Sequence, residues 1–384
     1  MSFDGIMGGL GAFGGNLAGY LVPFLFVLTI VVFFHELGHF LVARLCGIKV
    51  LTFSIGFGPE IVGFFDRYGT RWKISAVPLG GYVKFLGDEN AASVPDHEAA
   101  ATMSEAEKAV SFIHKPVGPR AAVVAAGPIA NFILAIAIFA AVFMIFGKQI
   151  TSARVDTVQP NSAAQAAGFQ PGDLVVAING EKIDSFADMQ RIVSINPGLM
   201  LNIEVERGGV PVALKAAPEL KELKDKFGNV QRLGVLGISR SMAPGDIKTQ
   251  KVNPLQAVVM GVQETWFVVD RTISYIGGIF AGRESADQLG GPIRIAQVSG
   301  QVASAGFVAL IHLTAVLSVS IGLLNLFPIP LLDGGHLLFY GIEAARGRPL
   351  SERAQEVGFR IGLAIVVMLM IFATFNDILH LATS

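Results

Sequence analysis

The chain has 384 residues, of which 52% are hydrophobic and 15% are charged, and its mean hydropathy is +0.57. This composition excludes an ordinary soluble globular protein and predicts a membrane protein with a soluble portion. The formal net charge of −1 gives no indication of nucleic-acid binding. The single cysteine, Cys46, excludes an internal disulfide, a zinc–thiolate cluster and a redox pair.

Four long apolar runs predict membrane-spanning helices, since each approaches the length that crosses a hydrocarbon core. The runs are residues 21–43, 121–146, 307–327 and 361–375. The first run follows a Gly-rich segment, residues 1–20, that contains no Lys or Arg. Because a cleaved signal peptide begins with a basic region, we expect the first run to be retained as a span.

The distribution of basic residues predicts the orientation of these spans. The loops after the first and third spans are basic, whereas Lys and Arg are absent before Arg44 and after Arg360. Because cytoplasmic loops carry such an excess, we expect both termini and the long central segment to lie outside the cytoplasm. The basic residues of the two loops are Arg44, Lys49, Lys115, Arg120, Arg346, Arg348 and Arg353.

The first span carries the sequence His35-Glu36-Leu37-Gly38-His39 inside an otherwise apolar run. On a helix, His35 and His39 lie about 40° apart on one face, so both imidazoles can reach one metal ion. A helix of this type binds zinc through its histidines and uses the glutamate as general base towards an activated water. Ionisable side chains are costly to bury in a membrane and mark function there, so we interpret these residues as a metal site.

Two further stretches fall at a similar depth in the predicted topology, as expected of a site assembled between helices. Residues 127–131 lie in the cytoplasmic third of the second span, and residues 325–334 end the third. Asp333 follows a helix end broken by Pro328 and Pro330, and its carboxylate can supply the remaining zinc ligand. The first stretch is equally compatible with a kinked packing face, and the prolines of the second are also the ordinary means of ending a helix.

The first loop contains a predicted β-hairpin. Residues 72–76 and 82–85 have the pattern of short strands around a turn at residues 78–81, and residues 56–60 are turn-rich. A strand edge there could pair with an extended substrate. A plain surface hairpin is equally compatible with the pattern.

From residue 151 to about residue 240 the pattern changes to that of a soluble α/β module. Strands are predicted at residues 173–178 and 201–206, with a helix at residues 186–193 between them. The Gly-rich residues 233–238 could form a backbone-lined loop that binds a carboxylate.

Two connecting segments complete the chain. Residues 88–107 are Ala-rich and acidic, and we expect a flexible linker there. Residues 253–280 are apolar but interrupted by Glu264, Asp270 and Arg271, which favours an amphipathic helix over a fifth span.

In their order along the chain, these motifs resemble those of the site-2 proteases, a family of intramembrane zinc metalloproteases. The resemblance is specifically to the bacterial regulator-of-sigma-E type, which has PDZ modules between its second and third spans. It covers nearly the whole chain. The motifs that carry it are His35-Glu36-Leu37-Gly38-His39, Pro78-Leu79-Gly80-Gly81-Tyr82-Val83-Lys84, Ala126-Gly127-Pro128-Ile129-Ala130-Asn131 and Asn325-Leu326-Phe327-Pro328-Ile329-Pro330-Leu331-Leu332-Asp333-Gly334.

The resemblance implies a polytopic α-helical membrane protein with four transmembrane helices, a membrane-associated β-hairpin and an inserted α/β PDZ domain. The expected segments are 1–46, the N-terminal segment and first span; 47–119, a cytoplasmic loop with the hairpin; 120–147, the second span; 150–242, a periplasmic PDZ domain; 243–304, a periplasmic amphipathic helix and connector; 305–336, the third span and aspartate motif; and 337–384, a cytoplasmic loop and the fourth span.

The resemblance also implies the chemistry. Zinc would be the cofactor, with His35, His39 and Asp333 as its ligands and Glu36 as the catalytic base. Asn325 and Asn131 would position the substrate or stabilise the oxyanion. The hairpin would hold the unwound substrate, through the peptide-binding residues Gly80, Gly81, Tyr82 and Val83.

We therefore expect a multi-pass enzyme of the bacterial inner membrane, with its active site towards the cytoplasm. It would cleave the transmembrane segment of a single-span protein, such as an anti-sigma factor, in regulated intramembrane proteolysis. The PDZ domain would read a peptide or carboxyl terminus, or act as a size filter. The chain has room for about one such module, whereas enterobacterial members of the family carry two in tandem.

Two other classes of function account for fewer of these residues. A metal transporter would be expected to carry more ionisable groups along its third and fourth spans. In this chain, His312 is the one ionisable residue within the third predicted span. A PDZ-bearing membrane adaptor would leave Glu36 and Asp333 without a reason for their burial. The enzyme accounts for both residues.

Overall fold

The computed structural model describes residues 17–88, 102–224, 230–240, 248–282, 286 and 290–383. The Gly-rich segment before residue 17 and residues 89–101 of the predicted linker lie outside the described residues. The chain divides into a helical unit, formed by Met1–Ala140, Val258–Val269 and Leu289–Thr383, and a strand-rich unit, formed by Ala141–Ala257 and Asp270–Gln288.

The secondary structure alternates between long apolar helices and short strands. In chain order the elements are α1 (Leu17–Leu45), β1 (Val50–Phe65), β2 (Arg71–Phe85), α2 (Glu105–Val110), α3 (Val117–Phe146), β3 (Lys148–Ile150), β4 (Thr157–Val158), α4 (Ala163–Ala166), β5 (Leu174–Ile178), β6 (Glu181–Lys182), α5 (Phe186–Ile195), β7 (Leu201–Arg207), β8 (Val210–Ala216), β9 (Glu219–Lys224), β10 (Val230–Val235), β11 (Ile238–Ser239), β12 (Lys248–Gln250), α6 (Pro254–Phe280), α7 (Pro292–Ser304), α8 (Phe307–Asn325), α9 (Asp333–Arg346) and α10 (Glu352–Thr383).

Helices α1, α3, α8 and α10 are long and apolar enough to cross a membrane, and among the described residues they are the four that are. Helices α1, α3 and α10 each contain one predicted apolar run, and α8 begins with its run and ends two residues before it, so the prediction of four spans is confirmed. The chain is a polytopic membrane protein.

Helix α6 is not one of these four, in agreement with the prediction for residues 253–280. It begins with a capping box, in which Asn253 accepts from the backbone N–H of Gln256 and the Gln256 side chain accepts from the backbone N–H of Asn253. Pro254 occupies the first turn, where its missing N–H costs nothing.

Three of the spanning helices approach each other closely through small residues. A Cβ atom at Gly38 of α1 would lie 2.3 Å from the backbone oxygen of Ala126 in α3. One at Gly322 of α8 would lie 3.2 Å from the backbone oxygen of Pro128. Glycine therefore lets the three backbones meet, as is usual for helices packed in membranes.

Helix α10 is fastened to α7 by a buried carboxylate. Asp377 is 2% exposed and accepts hydrogen bonds from the backbone N–H groups of Gly291, Ile293 and Arg294. These are free donors at the first turn of α7, so Asp377 acts as its cap.

The hairpin differs from the prediction. Strands β1 and β2 pair with each other, and the chain reverses at residues 66–70 rather than at residues 78–81. Both predicted short strands belong to β2. Glycines with positive φ, including Gly56 at 89° and Gly80 at 146°, bend the two strands without ending them, which is why they have the sequence pattern of turns.

Because of these bends, the hairpin curls into several adjacent segments. Phe53 is fully buried and has Val83 as its register partner on one side and Trp72 on the other. Among the described residues the segment 81–85 pairs with β1 alone, and the backbone N–H groups of Val83 and Phe85 donate to the side chains of Glu36 and Asp88.

Hydrogen bonds to Asp66 connect the hairpin turn to the end of α1. Asp66 accepts hydrogen bonds from the backbone N–H groups of Tyr68 and Thr70 and from the side chains of Trp72 and Arg44. Partial burial raises the pKa of Asp66, but these donors outweigh it and hold the pKa at about 2. The carboxylate therefore stays ionised and the turn stays attached to α1.

The strand-rich unit contains an antiparallel sheet with the order β6-β5-β7-β8. Along β7, buried and exposed residues alternate, which puts Leu201, Ile203 and Val205 into the core. Helix α5 is capped by Ser185 and adds Met189 and Val193 to that core. The strands and the helix lie where the sequence predicted them.

Candidate metal centre

Three side chains meet where α1, α3 and the start of α9 come together. His35 Nε2 lies 3.2 Å from His39 Nε2 and 3.2 Å from Asp333 Oδ2, and His39 Nε2 lies 3.6 Å from Asp333 Oδ1. The side chains of the two histidines and the aspartate are only 12%, 12% and 17% exposed. Residues almost 300 positions apart in sequence thus converge, as the predicted topology required.

The donor set and its spacing fit a zinc ion. Zinc with four tetrahedral ligands at about 2.0–2.1 Å keeps those ligand atoms about 3.3 Å apart, which is close to the separation of the two Nε2 atoms and to the distance from each Nε2 atom to its nearer Asp333 oxygen. Asp333 Oδ2 is buried and accepts no well-directed hydrogen bond among the described residues. A buried carboxylate oxygen in that state is costly unless a cation compensates it.

The tautomer of His39 suits this role. His39 Nδ1 lies 2.8 Å from the backbone oxygen of Val123 in α3. A carbonyl oxygen accepts only, so Nδ1 carries the proton and Nε2 keeps its lone pair for a metal. Such a partner also fixes the orientation of the ring.

Gly127 provides the space for both imidazoles. A Cβ atom there would lie 2.3 Å from His39 Nε2 and 2.9 Å from His35 Cε1. Since neither separation is sterically allowed, a side chain at this position would displace the ligands. The motif around Gly127 and Pro128 therefore does more than pack helices, although α3 continues through Pro128.

Glu36 lies between the histidines and the hairpin. Its carboxylate accepts a hydrogen bond from the backbone N–H of Val83. A Cβ atom at Gly81 would lie 3.1 Å from Glu36 Cγ and 2.8 Å from Val32 Cγ1. The segment 81–85 thus crosses α1 directly at the turn that carries Glu36, so two of the predicted peptide-binding residues lie beside the predicted base.

A tight loop presents Asp333. The segment 326–332 leads from the end of α8 to Asp333, the first residue of α9, and contains Leu331 with a φ of 87°. Positive φ is strained for a leucine and occurs mainly where the surroundings enforce it. A Cβ atom at Gly334 would lie 2.2 Å from the backbone oxygen of Leu326, so only glycine allows the loop to close behind the carboxylate.

The far end of α9 is held by an ion pair with α3. Arg120 Nη2 donates to Glu343 Oε1 over 2.5 Å, and both side chains are less than 15% exposed. The Arg120 guanidinium also lies over the Tyr340 ring, 4.8 Å from its centroid. Helices α3 and α9 each contribute to the centre, so this contact fixes their relative position.

The remaining predicted site residues are placed as follows. Asn131 is fully buried next to His35, with its Nδ2 atom 3.3 Å from His35 Nδ1. Asn325 is the partly buried last residue of α8, before the loop to Asp333. Gly80 lies against the Phe57 ring, and Tyr82 stacks on that ring at 6.0 Å.

Sequence reasoning missed several contacts around the centre, and two of them illustrate why. The Val123 carbonyl carries no side-chain signal, so no pattern could reveal its bond to His39. The pairing of Arg120 with Glu343 joins positions 223 residues apart, and both had the pattern of ordinary loop charges.

Comparisons with known proteins agree with this geometry. Residues 23–369 match the family described as Peptidase family M50. The chain belongs to this family. The zinc metalloproteases of the site-2 type are its members, so the protein is an enzyme of that kind, with zinc as its cofactor.

Relatives match over nearly their full length. A protein of Agrobacterium fabrum, provisionally named a zinc metalloprotease, is 54% identical over 95% of this chain and 97% of its own. The metalloprotease MmpA of Caulobacter vibrioides is 42% identical over 93% of this chain and 95% of its own. The regulator of sigma-E protease RseP of Escherichia coli is 32% identical over 93% of this chain and 98% of its own.

Proposed function

We propose that the protein cleaves a peptide bond within or near a transmembrane segment, with His35, His39 and Asp333 as zinc ligands and Glu36 as catalytic base. The observation that carries this is the meeting of three ligand atoms within 4.8 Å of one another, two from the spanning helix α1 and one from Asp333 at the start of α9. Zinc bound there would polarise the scissile carbonyl and lower the pKa of the attacking water.

Glu36 would move the protons. Its position beside the ligand pair lets it accept a proton from the attacking water and deliver that proton to the leaving amine. The Val83 N–H holds the carboxylate in place while it does so. Glu36 would therefore act as base and then as acid without leaving its hydrogen bond.

The substrate would bind as an extended strand. A helical peptide bond is hidden inside its own hydrogen bonds, so the substrate helix has to unwind before cleavage. The edge of the segment 81–85 that does not pair with β1 lies beside Glu36, where the substrate backbone would pair with it. Gly80, Gly81, Tyr82 and Val83 would form this binding edge, and Asn325 would position the chain next to Asp333.

The test of the site separates the base from the ligands. Glu36→Gln leaves all three ligands in place and removes the base, so we expect it to retain zinc and to lose at least about 10³-fold in cleavage of a single-span substrate in detergent. Full turnover by this variant contradicts the role of Glu36. Loss of zinc from it would move Glu36 into the ligand set.

The physiological substrate would be a single-span regulator of the anti-sigma type, cut in regulated intramembrane proteolysis. The name of the E. coli relative, regulator of sigma-E protease, supports this class. Cleavage of such a regulator by the wild type, and its accumulation with Glu36→Gln, is the expected result. Accumulation of other membrane proteins instead would contradict the assignment of an anti-sigma regulator as the substrate.

The strand-rich unit would be a PDZ domain that binds a peptide or carboxyl terminus. In support, Leu236 and Gly237 form a loop before β11, and β11 pairs with β4 on one side only among the described residues. Replacing residues 156–240 by a flexible linker tests this. Loss of terminus-dependent binding supports peptide recognition, whereas cleavage of substrates with intact outer domains supports a size filter.

The predicted orientation in the inner membrane can be tested with the native cysteine. Cys46 follows α1 directly and would lie on the cytoplasmic side, with the strand-rich unit in the periplasm. A membrane-impermeant maleimide should label Cys46 only after the inner membrane is opened. In a Cys46→Ser background, a cysteine at the exposed position Glu204 should be labelled in intact spheroplasts. The reverse pattern contradicts this orientation.

A further inference from the structure

Asn131 lies at the crossing of two spanning helices and is completely shielded from solvent. Its backbone oxygen accepts a hydrogen bond of 2.9 Å from Ser318 Oγ of α8. A Cβ atom at Gly322 would lie 3.1 Å from Asn131 Cβ, so α8 packs directly against this residue. The side chain is therefore held in a fixed place with little room for a substrate.

The one hydrogen-bonding contact of the Asn131 amide is with a zinc ligand. Asn131 Nδ2 lies 3.3 Å from His35 Nδ1, whereas Asn131 Oδ1 has no partner among the described residues. In this arrangement His35 Nδ1 accepts, its proton is on Nε2, and Nε2–H faces Asp333 Oδ2 at 3.2 Å.

Binding of a metal requires the opposite tautomer of His35. A ligating His35 Nε2 has to offer its lone pair, so the proton moves to Nδ1 and Nδ1 becomes a donor. An amide turned by 180° exchanges its oxygen and nitrogen, and Asn131 Oδ1 then accepts from His35 Nδ1. In this state Oδ1 takes the place of Nδ2 at His35 Nδ1, and the bond parallels that between His39 Nδ1 and the backbone oxygen of Val123.

From this geometry we infer that Asn131 is a positioning residue for zinc, which accepts the Nδ1–H of His35 and selects its ligating tautomer. This role rests on the proposed zinc site and differs from the predicted contact with the substrate. Residues that orient ligating histidines in this way change metal affinity by about 10–100-fold when they are removed.

The donor and acceptor roles of Asn131 can be separated by substitution. Asn131→Asp keeps an acceptor but has no donor, and Asn131→Leu has neither at a similar volume. We expect Asn131→Leu to weaken zinc binding about 10–100-fold and Asn131→Asp to bind at least as tightly as the wild type. Zinc affinity would be measured on the purified full chain in detergent by competition with a chelator.

Ser318→Ala is the matched control, since it removes the other hydrogen bond of Asn131 and leaves the amide untouched. Its zinc affinity should stay close to that of the wild type. Wild-type affinity in Asn131→Leu, or equal weakening in Asn131→Asp, overturns the inference. A wild type that binds no zinc at all contradicts the proposed function instead.

A second measurement needs no variant and so does not depend on how Asn131→Leu folds. In the zinc-loaded wild type labelled with ¹⁵N-histidine, His35 should show a protonated Nδ1 and a metal-bound Nε2. An Nε2-protonated His35 in the loaded protein would overturn the role of Asn131 as acceptor.

Discussion

Asp173 in the strand-rich unit and Asp333 in the helical unit are both shielded from solvent, but they differ in what surrounds them. In the strand-rich unit, Asp173 is fully buried and accepts from Arg207 Nε at 2.7 Å, from Arg207 Nη2 at 2.8 Å and from the backbone of Gln170 at 2.8 Å. In the helical unit, Asp333 faces two histidines, and its Oδ2 accepts no well-directed hydrogen bond among the described residues.

The difference indicates which buried charge serves stability and which serves chemistry. Two parallel hydrogen bonds from one arginine compensate the negative charge of a buried carboxylate. Asp333 has only the two histidines as ion-pair partners among the described residues, and the cluster as a whole offers lone pairs that a metal ion can accept. An incomplete set of partners around a buried group thus points to a ligand that completes it.

A large effect on zinc binding is expected from filling the space next to the imidazoles. Gly127→Ala places a Cβ atom 2.3 Å from His39 Nε2, so we expect zinc affinity and cleavage to fall by at least about 10-fold. Gly118→Ala in the same helix is the control, because its Cβ would meet nothing within 4 Å. Equal zinc binding by both variants would show that Gly127 is not needed for the ligand geometry.

The ion pair of Asp173 and Arg207 in the strand-rich unit should affect stability and not zinc binding. Asp173→Asn removes the charge but keeps the shape, and we expect a loss of about 2 kcal/mol in the stability of that unit, since hydrogen bonds to charged groups contribute on this scale. Zinc content should not change. Thermal unfolding and zinc analysis of the same sample test both statements, and loss of zinc would contradict the separation of the two roles.

The same pair predicts a dependence on pH. The bonds from Arg207 lower the pKa of Asp173 below its ordinary value of 3.8, against the opposing effect of burial. Because the folded-state pKa is the lower one, the stabilisation is complete above about pH 3.8 and is lost as the pH falls through the folded-state value. The stability difference between wild type and Asp173→Asn should therefore be constant near neutrality and shrink only in acid.

A smaller effect is expected from the ion pair within the helical unit. Arg120→Glu and Glu343→Arg should each lower stability, and the double variant should regain part of the loss, with a coupling of about 1 kcal/mol. The charges of Arg120 and Glu343 compensate each other without a metal, as do those of Asp173 and Arg207. Zinc should therefore remain bound in the double variant. A purely additive result would show that the two side chains do not interact in solution.

The sequence predicted those parts of the molecule that depend on local pattern. The four spans follow from apolar length, and the two histidines follow from helical spacing. Asp333 could be joined to them because span orientation brought it to the same depth. Glycine predicted strand ends poorly, since Gly56 and Gly80 bend strands that the pattern predicted to end there.

The parts that the sequence did not predict depend on contacts between distant backbones. The carbonyl of Val123 and the N–H of Val83 act through the main chain, which every residue type possesses. Their partners, His39 and Glu36, therefore gave no hint of them. The contact of Asn131 with His35 was likewise hidden, because its residue type also suits a substrate contact.

The most direct test is the zinc content of the purified chain, compared between Asp333→Asn and Asp377→Asn. Both aspartates are buried in the helical unit, but Asp377 has a full set of backbone donors. We expect about one zinc per chain in the wild type and in Asp377→Asn, and little or none in Asp333→Asn. Full zinc content in Asp333→Asn would contradict the proposal that this carboxylate completes the metal site.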